Sequence, residues 1–218
     1  MKSLRRFFSA RPRLASLALA ALYIGVTALY PLFNRPGGQT YCLSTALDSF
    51  LGFSPPWIIP YVAWYLFLPG VAFYLMFRDP KQYTLTLLVM ILGLVLSFLT
   101  YTLFQTTVPR PPVPRDDIFS RLVRIIYGID QPYNAFPSIH VLVTYALMQG
   151  AAKTRSLKKA AKAAIWGVGW LIILSTVMVK QHVVADILGG IALALLLRWL
   201  LSRYTSNDQP EPGPDFLL

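Results

Sequence analysis

Cysteine, histidine and acidic residues are all scarce in this chain. Its 218 residues include one cysteine, Cys42, two histidines, His140 and His182, and nine Asp and Glu. A single cysteine excludes a disulfide within the chain and any cysteine-based metal cluster, leaving Cys42 as a free loop thiol. Charged residues make up 13% of the sequence, against about 25% in a soluble domain. Twenty Lys and Arg outweigh the nine acids, for a net charge of +11. In a soluble protein that excess would suggest nucleic acid. In an apolar chain topology accounts for it first, and no nucleic-acid partner is expected.

What is abundant is apolar sequence, 56% of the chain, gathered in runs of roughly membrane-spanning length. The fold class expected is all-α, a polytopic membrane protein with a six-transmembrane-helix bundle. Spans are expected at about 14–33, 57–77, 83–104, 137–152, 164–179 and 183–201. The fourth is short and begins at Pro137, a suitable first helical residue. Residues 1–13 read as a basic cytoplasmic segment, 14–205 as the membrane domain and 206–218 as a polar, disordered cytoplasmic tail. Ala18-Leu19-Ala20 resembles a signal-peptide cleavage site, but the apolar run continues past it, which favours a retained span. Residues 43–53 form a weakly amphipathic piece suited to the membrane surface or to a lid. Between spans three and four, Val108–Arg115 is proline-rich and stiff. Ile118–Ile129 fits a short amphipathic helix.

Six spans put both termini on one side. With that arrangement fourteen Lys and Arg fall on the side of the termini. Six fall on the other: Arg35, Arg110, Arg115, Arg121, Arg124 and Lys180. The positive-inside rule then predicts a multi-pass plasma (inner) membrane protein with cytoplasmic termini. Arg110, His140, Lys180 and His182 share the outer, or periplasmic, face.

That face collects chemistry from three loops. Ser138 and His140 stand at the start of the fourth span, where free backbone N–H groups, including that of Ile139, make a helix N-terminus an anion site. Arg110 suits bidentate contact with phosphate oxygens, and Lys180 adds a point charge. His182 and Asp186, four residues apart, share one helix face. Two histidines suffice for a covalent double displacement. Asp186 would fix the tautomer of His182, whose other nitrogen attacks phosphorus, and His140 would serve as acid and then base.

These residues resemble the type 2 phosphatidic acid phosphatase superfamily. Arg110-Pro111 is similar to the end of its first motif, Pro137-Ser138-Ile139-His140 to its second, and Ser175-Thr176 with His182 and Asp186 to its third. The likeness covers roughly residues 55–205. It implies a six-helix bundle and a phosphohistidine mechanism with no metal and no cofactor. His182 would be the nucleophile, Asp186 its orienter and His140 the acid/base. Arg110, Ser138, Ile139 and Lys180 would bind the phosphate. The substrate implied is a lipid phosphate, with membrane lipids as the other partners. Leu103, Thr176 and Ile139 stand where the family has lysine, arginine and glycine. Lys180 is a candidate substitute for one missing cation, and Arg115, Arg121 or Arg124 for another. The Phe136–His140 segment is similar to the inositol phosphorylceramide synthase branch, which moves a phosphoryl headgroup to an alcohol.

Other readings compete with these. His140, or the His182–Asp186 pair, would be structural if satisfied inside the bundle, and Lys180 would snorkel as an interface anchor. Two histidines with a carboxylate would hold a metal, and an open bundle would serve a non-catalytic lipid binder or scramblase. Ser175 and Gly189-Gly190 read as helix-packing residues. Nothing in the sequence sets the oligomeric state.

Overall fold

The computed structural model describes residues 12–113 and 116–206 and is mostly helical. Most of the expected N-terminal segment, nearly all of the tail and the candidate cation Arg115 lie outside the described residues. In chain order the elements are α1 (Pro12–Thr27), α2 (Tyr30–Phe33), β1 (Tyr41–Cys42), α3 (Ala46–Phe50), α4 (Ile58–Arg78), α5 (Pro80–Leu103), β2 (Thr106–Thr107), α6 (Ile118–Ile129), α7 (Ile139–Lys153), α8 (Lys159–Met178) and α9 (Val184–Ser206).

Five helical segments are long and apolar enough to cross a membrane: Leu14–Phe33, Pro55–Arg78, Pro80–Leu103, Lys159–Met178 and Val184–Arg203. The outer helices expose Leu66, Phe73, Phe77, Leu99 and Leu188, an apolar surface that suits lipid rather than water. The expected fourth span, α7, has only 15 residues, roughly 22 Å of helix and short of a hydrocarbon core about 30 Å thick. It needs little contact with lipid, because α4, α5, α8 and α9 all pack against it. Leu142, Val143, Ala146, Leu147 and Met148 have no exposed surface.

Several boundaries differ from expectation for local reasons. The first run turns at Ala28-Leu29, since Pro31 lacks an N–H and its ring would clash with the Thr27 carbonyl in a continuous helix. Pro55–Trp57 form a 3-10 turn before α4. The polar 78–81 turn gives α5 its start: Asp79 caps the helix by accepting from the Gln82 N–H at 3.1 Å, with Pro80 in the first turn. Helix α7 begins at Ile139 rather than Pro137, because Ser138 is the N-cap, in extended conformation with Oγ accepting from the Val141 N–H. Helix α8 starts at Lys159, five residues before the expected Ala164, because lysine and alanine are good helix formers. The 43–53 piece holds only one short helix, α3. Helix α6 matches the expected Ile118–Ile129, capped by Asp117.

The loops at one end of the bundle are cross-tied. Strands β1 and β2 pair in parallel, and Thr106 Oγ1 accepts from the Ala135 and Phe136 N–H groups. Asp130 accepts from Tyr30 Oη and Asn34 Nδ2, both at 2.7 Å. This fixes the 131–138 segment that leads into α7. On its other side α9 comes very close: a Cβ on Gly190 would meet the Ser138 carbonyl oxygen at 2.7 Å, and one on Gly189 would meet Phe136 at 2.5 Å. The obstacle at Gly190 is backbone, which cannot turn aside. Gly190→Ala should therefore cost about 1–3 kcal/mol of stability, read as a fall in the unfolding midpoint in detergent. An unchanged midpoint would show that the two segments can separate freely.

Candidate functional site

Helix α8 ends in a tight turn. The Val179 N–H donates to Ser175 O, the Lys180 N–H to Val177 O, and both Gln181 and His182 donate to Thr176 O at 2.9 and 3.0 Å. Lys180 sits in the left-handed region at φ 54°, an uncommon conformation for a residue with a side chain. The turn delivers His182 two residues before α9. There Asp186, fully buried, accepts through Oδ2 from the Val183 N–H at 2.9 Å and contacts His182 Nδ1 at 3.3 Å. With the Nδ1 proton turned to the carboxylate, the lone pair of His182 stays on Nε2.

The second histidine arrives from α7. The Ser138 N–H donates to Asp186 O at 3.1 Å, locking the start of α7 to the first turn of α9. His140 lies against α4: its Nε2 is 3.3 Å from Tyr61 Oη, and its ring centroid is 4.5 Å from that of Trp64. The two histidine rings are 6.0 Å apart between centroids. That is too far for a direct hydrogen bond and close enough for both to reach one tetrahedral group. The hydroxyl of Ser138, expected to reach the phosphate, is fully buried and accepts from Val141 as a helix cap. Ile139 packs against the main core.

Arg110 completes the group. Its Nη2 donates to Gln181 Oε1, its Nη1 donates to Tyr127 O at 3.3 Å, and its Cζ lies 4.3 Å over the Tyr127 ring. Tyr127 in turn donates to Val179 O at 2.7 Å, so α6 supports both the arginine and the turn that carries His182. Burial lowers the pKa of Arg110, with Asp130 opposing; the guanidinium stays charged. Its Nε, like Gln181 Nε2, is buried without a partner. Arg110, Lys180 and His182 line one cavity of about 430 Å³ with Asp48, Ser44 and Ser49. His140 is not among the residues lining it and approaches His182 from the α4 side.

The Lys180 side chain differs from a free phosphate-facing cation. Its Nζ donates to the carbonyls of Asp48 (2.7 Å) and Leu51. Burial lowers its pKa, and Asp48 opposes that shift. Asp48 is a residue that sequence reasoning missed. Its Oδ1 accepts from the Val184 N–H at 2.7 Å, and its Oδ2 from the Thr45 N–H and Oγ1, both at 2.8 Å. It thus supplies an orphan donor at the start of α9 with a carboxylate partner from 136 positions away. The sequence signal was local: Thr45-Ala-Leu-Asp48 reads as a capping box, which would have identified the helix but not its reach. Burial works to raise the Asp48 pKa, but the Val184 and Thr45 hydrogen bonds and Lys180 outweigh it and hold the carboxyl below its ordinary value.

A carboxylate depressed by folding stabilises above its unfolded pKa, and that contribution is lost as pH falls through the folded value. Asp48→Asn should therefore remove part of the stability lost between about pH 4 and the folded pKa. Comparing unfolding midpoints of the two proteins across pH 2.5–7 tests this; identical profiles would remove Asp48 from the account. Lys180→Ala should free the 45–52 segment and raise KM by about tenfold, where a snorkelling anchor would leave KM unchanged.

The other candidate cations fall elsewhere. Arg121 and Arg124 pair with Asp116 on an exposed surface, at 2.8 and 2.9 Å. Leu103, in the place of the family lysine, is 77% exposed. Thr176 and Ser175 are buried and donate to carbonyls of their own helix, so the threonine position holds the turn rather than facing the cavity. Among the described residues no group of three or more His, Cys, Asp and Glu side chains comes together to hold a metal ion.

A family model described as the PAP2 superfamily matches residues 82–210, more than half of the chain. The match includes both histidines, Asp186, Arg110, Ser138, Ile139 and Lys180. No curated protein and no solved structure matches the chain.

Proposed function

Because the chain belongs to the PAP2 superfamily, whose members are generally phosphatases or phosphotransferases, we propose that it is an integral membrane lipid-phosphate phosphatase acting through a phosphohistidine. The observation that carries this reading is the pair of histidine rings 6.0 Å apart, one of them held by a buried carboxylate, beside Arg110.

In the first step the Nε2 lone pair of His182 attacks phosphorus. The P–N bond forms as the P–O bond to the lipid alcohol breaks, and protonated His140 gives its proton to the leaving oxygen. Asp186 balances the positive charge that grows on the His182 ring and keeps Nδ1 protonated. In the second step His140, now neutral, takes a proton from water as that water attacks phosphorus. The P–N bond breaks, inorganic phosphate leaves, and both histidines return to their starting states. Arg110 would donate to phosphoryl oxygens, its buried Nε being available for a partner. Ile139, at the first turn of α7, would add a backbone N–H. Lys180 would act mainly by holding the 48–51 segment over the cavity.

The same chemistry with an alcohol in place of water gives a phosphotransferase of the inositol phosphorylceramide synthase kind. The isoleucine between Ser138 and His140 favours that second reading. A lipid binder or scramblase would use the same apolar end of the bundle without turnover. Five apolar crossing segments together with α7 support six spans, and the excess of Lys and Arg beside the termini supports cytoplasmic ends and a site facing outward.

Purified full-length protein should be incubated with diacylglycerol phosphate, polyprenyl pyrophosphate and sphingolipid phosphates, with and without inositol or glycerol, in the presence of chelator. Released phosphate supports the phosphatase, and a new lipid headgroup supports the transferase. Lipid movement that survives substitution of both histidines would overturn the enzyme.

A further inference from the structure

The end of the bundle away from His182 holds a second cavity, of about 550 Å³, built from α5, α7, α8 and α9. Its central side chain is Arg198, fourteen residues into α9 from Val184 and so roughly 21 Å from the start of that helix. Arg198 is only 8% exposed. Its Nη2 donates to Gln82 Oε1 at 2.5 Å, and its Nη1 is buried with no partner. Among the described residues no acidic side chain lines the cavity, and Asp79, two residues before Lys81, is occupied in capping α5 through the Gln82 N–H. Two further bases, Lys81 and Lys153, stand exposed at the rim. Trp166 and Trp199 form apolar walls.

An arginine taken out of water with no counter-charge beside it among the described residues is costly even after relaxation. Such a residue in a membrane helix points to a functional site. The free donor geometry of a guanidinium matches two oxygens of a phosphate. Gln149 also lines the cavity, with its side-chain oxygen buried and unpartnered. Oxygen and nitrogen of a glutamine amide are interchangeable by rotation, so Gln149 can add a donor there. Basic pockets between helix ends are where phosphate headgroups settle, and tryptophans suit the acyl–headgroup boundary.

We propose that Arg198, with Lys81 and Lys153, forms a second site that binds a phosphate group, separate from the histidine pair and independent of any turnover there. The occupant is either the headgroup of an anionic membrane lipid or free phosphate.

The full-length protein in nanodiscs of phosphatidylcholine, with or without phosphatidylglycerol, tests this by native mass spectrometry and thermal unfolding. One phosphatidylglycerol should stay bound through delipidation. Its affinity should fall about tenfold in R198Q and in the rim variant K81Q/K153Q, as expected for losing a charge-assisted hydrogen bond. The rim variant guards against misfolding of R198Q, because both lysines are exposed. A rise in unfolding midpoint with inorganic phosphate in pure phosphatidylcholine, absent in the variants, would identify free phosphate as the occupant. Neither ligand giving a difference between wild type and variants overturns the site. Binding lost in R110A but kept in K81Q/K153Q also overturns it, by moving the lipid to the other end.

Discussion

Replacing His182 with alanine is expected to lower turnover of a lipid phosphate by roughly 10⁴-fold or more, as removal of a covalent nucleophile does elsewhere. The fold should survive. Among the described residues the His182 side chain makes its hydrogen bond only to Asp186, while the turn around it is held by backbone bonds from Gln181, His182 and Lys180 that alanine keeps. Phosphate release, measured beside the unfolding midpoint, separates the two effects. Turnover near the wild-type rate in a folded variant would remove the phosphohistidine and leave the structural reading of the His182–Asp186 pair.

Asp186→Asn is the second large effect, and it works through a charge rather than through a missing atom. Oδ2 of Asp186 accepts from both the Val183 N–H and His182 Nδ1. An asparagine that places its oxygen where Oδ2 stands keeps both bonds, with its NH₂ in the unpartnered Oδ1 position. What the substitution removes is the negative charge beside the ring, so the imidazolium that forms as Nε2 attacks phosphorus is no longer balanced. Turnover should fall by about 10²–10³-fold with KM little changed, the loss typical of one electrostatic contact to charge that develops in the transition state. A loss confined to KM would instead make Asp186 part of the substrate cavity. Its Oδ1 is already buried without a partner, so the substitution adds no large desolvation cost of its own.

What could be read from the sequence was what depends on neighbours along the chain. The apolar runs announced the crossing helices, Pro137-Ser138 announced a helix start to within two residues, and the period of 118–129 announced α6. The spacing of His182 and Asp186 placed the two side chains together, and the resemblance to type 2 phosphatidic acid phosphatases agrees with the PAP2 match. The inositol phosphorylceramide synthase branch rests on Ile139 and its neighbours alone. What stayed hidden depends on pairs far apart. Asp48 reaches Val184, Lys180 reaches back to Leu51, and Tyr127 lies under Arg110. A lysine in the left-handed region is invisible to periodicity, so the direction of the Lys180 side chain could not be foreseen. The same holds for Arg198: by sequence it counted only as a positive charge near a helix end, and its burial emerges from four helices at once.

The short helix α7 has a consequence for the order in which the protein is made. At 15 residues, enclosed by α4, α5, α8 and α9, it is a poor candidate for independent insertion. The Ser138 N–H at its start waits for the carbonyl of Asp186, which belongs to α9, 48 residues further along the chain. The two imidazoles therefore come to face each other only once α9 is in place. A chain stalled before residue 184 would hold His140 and His182 without the element that sets them face to face, and so would carry none of the proposed activity into the membrane.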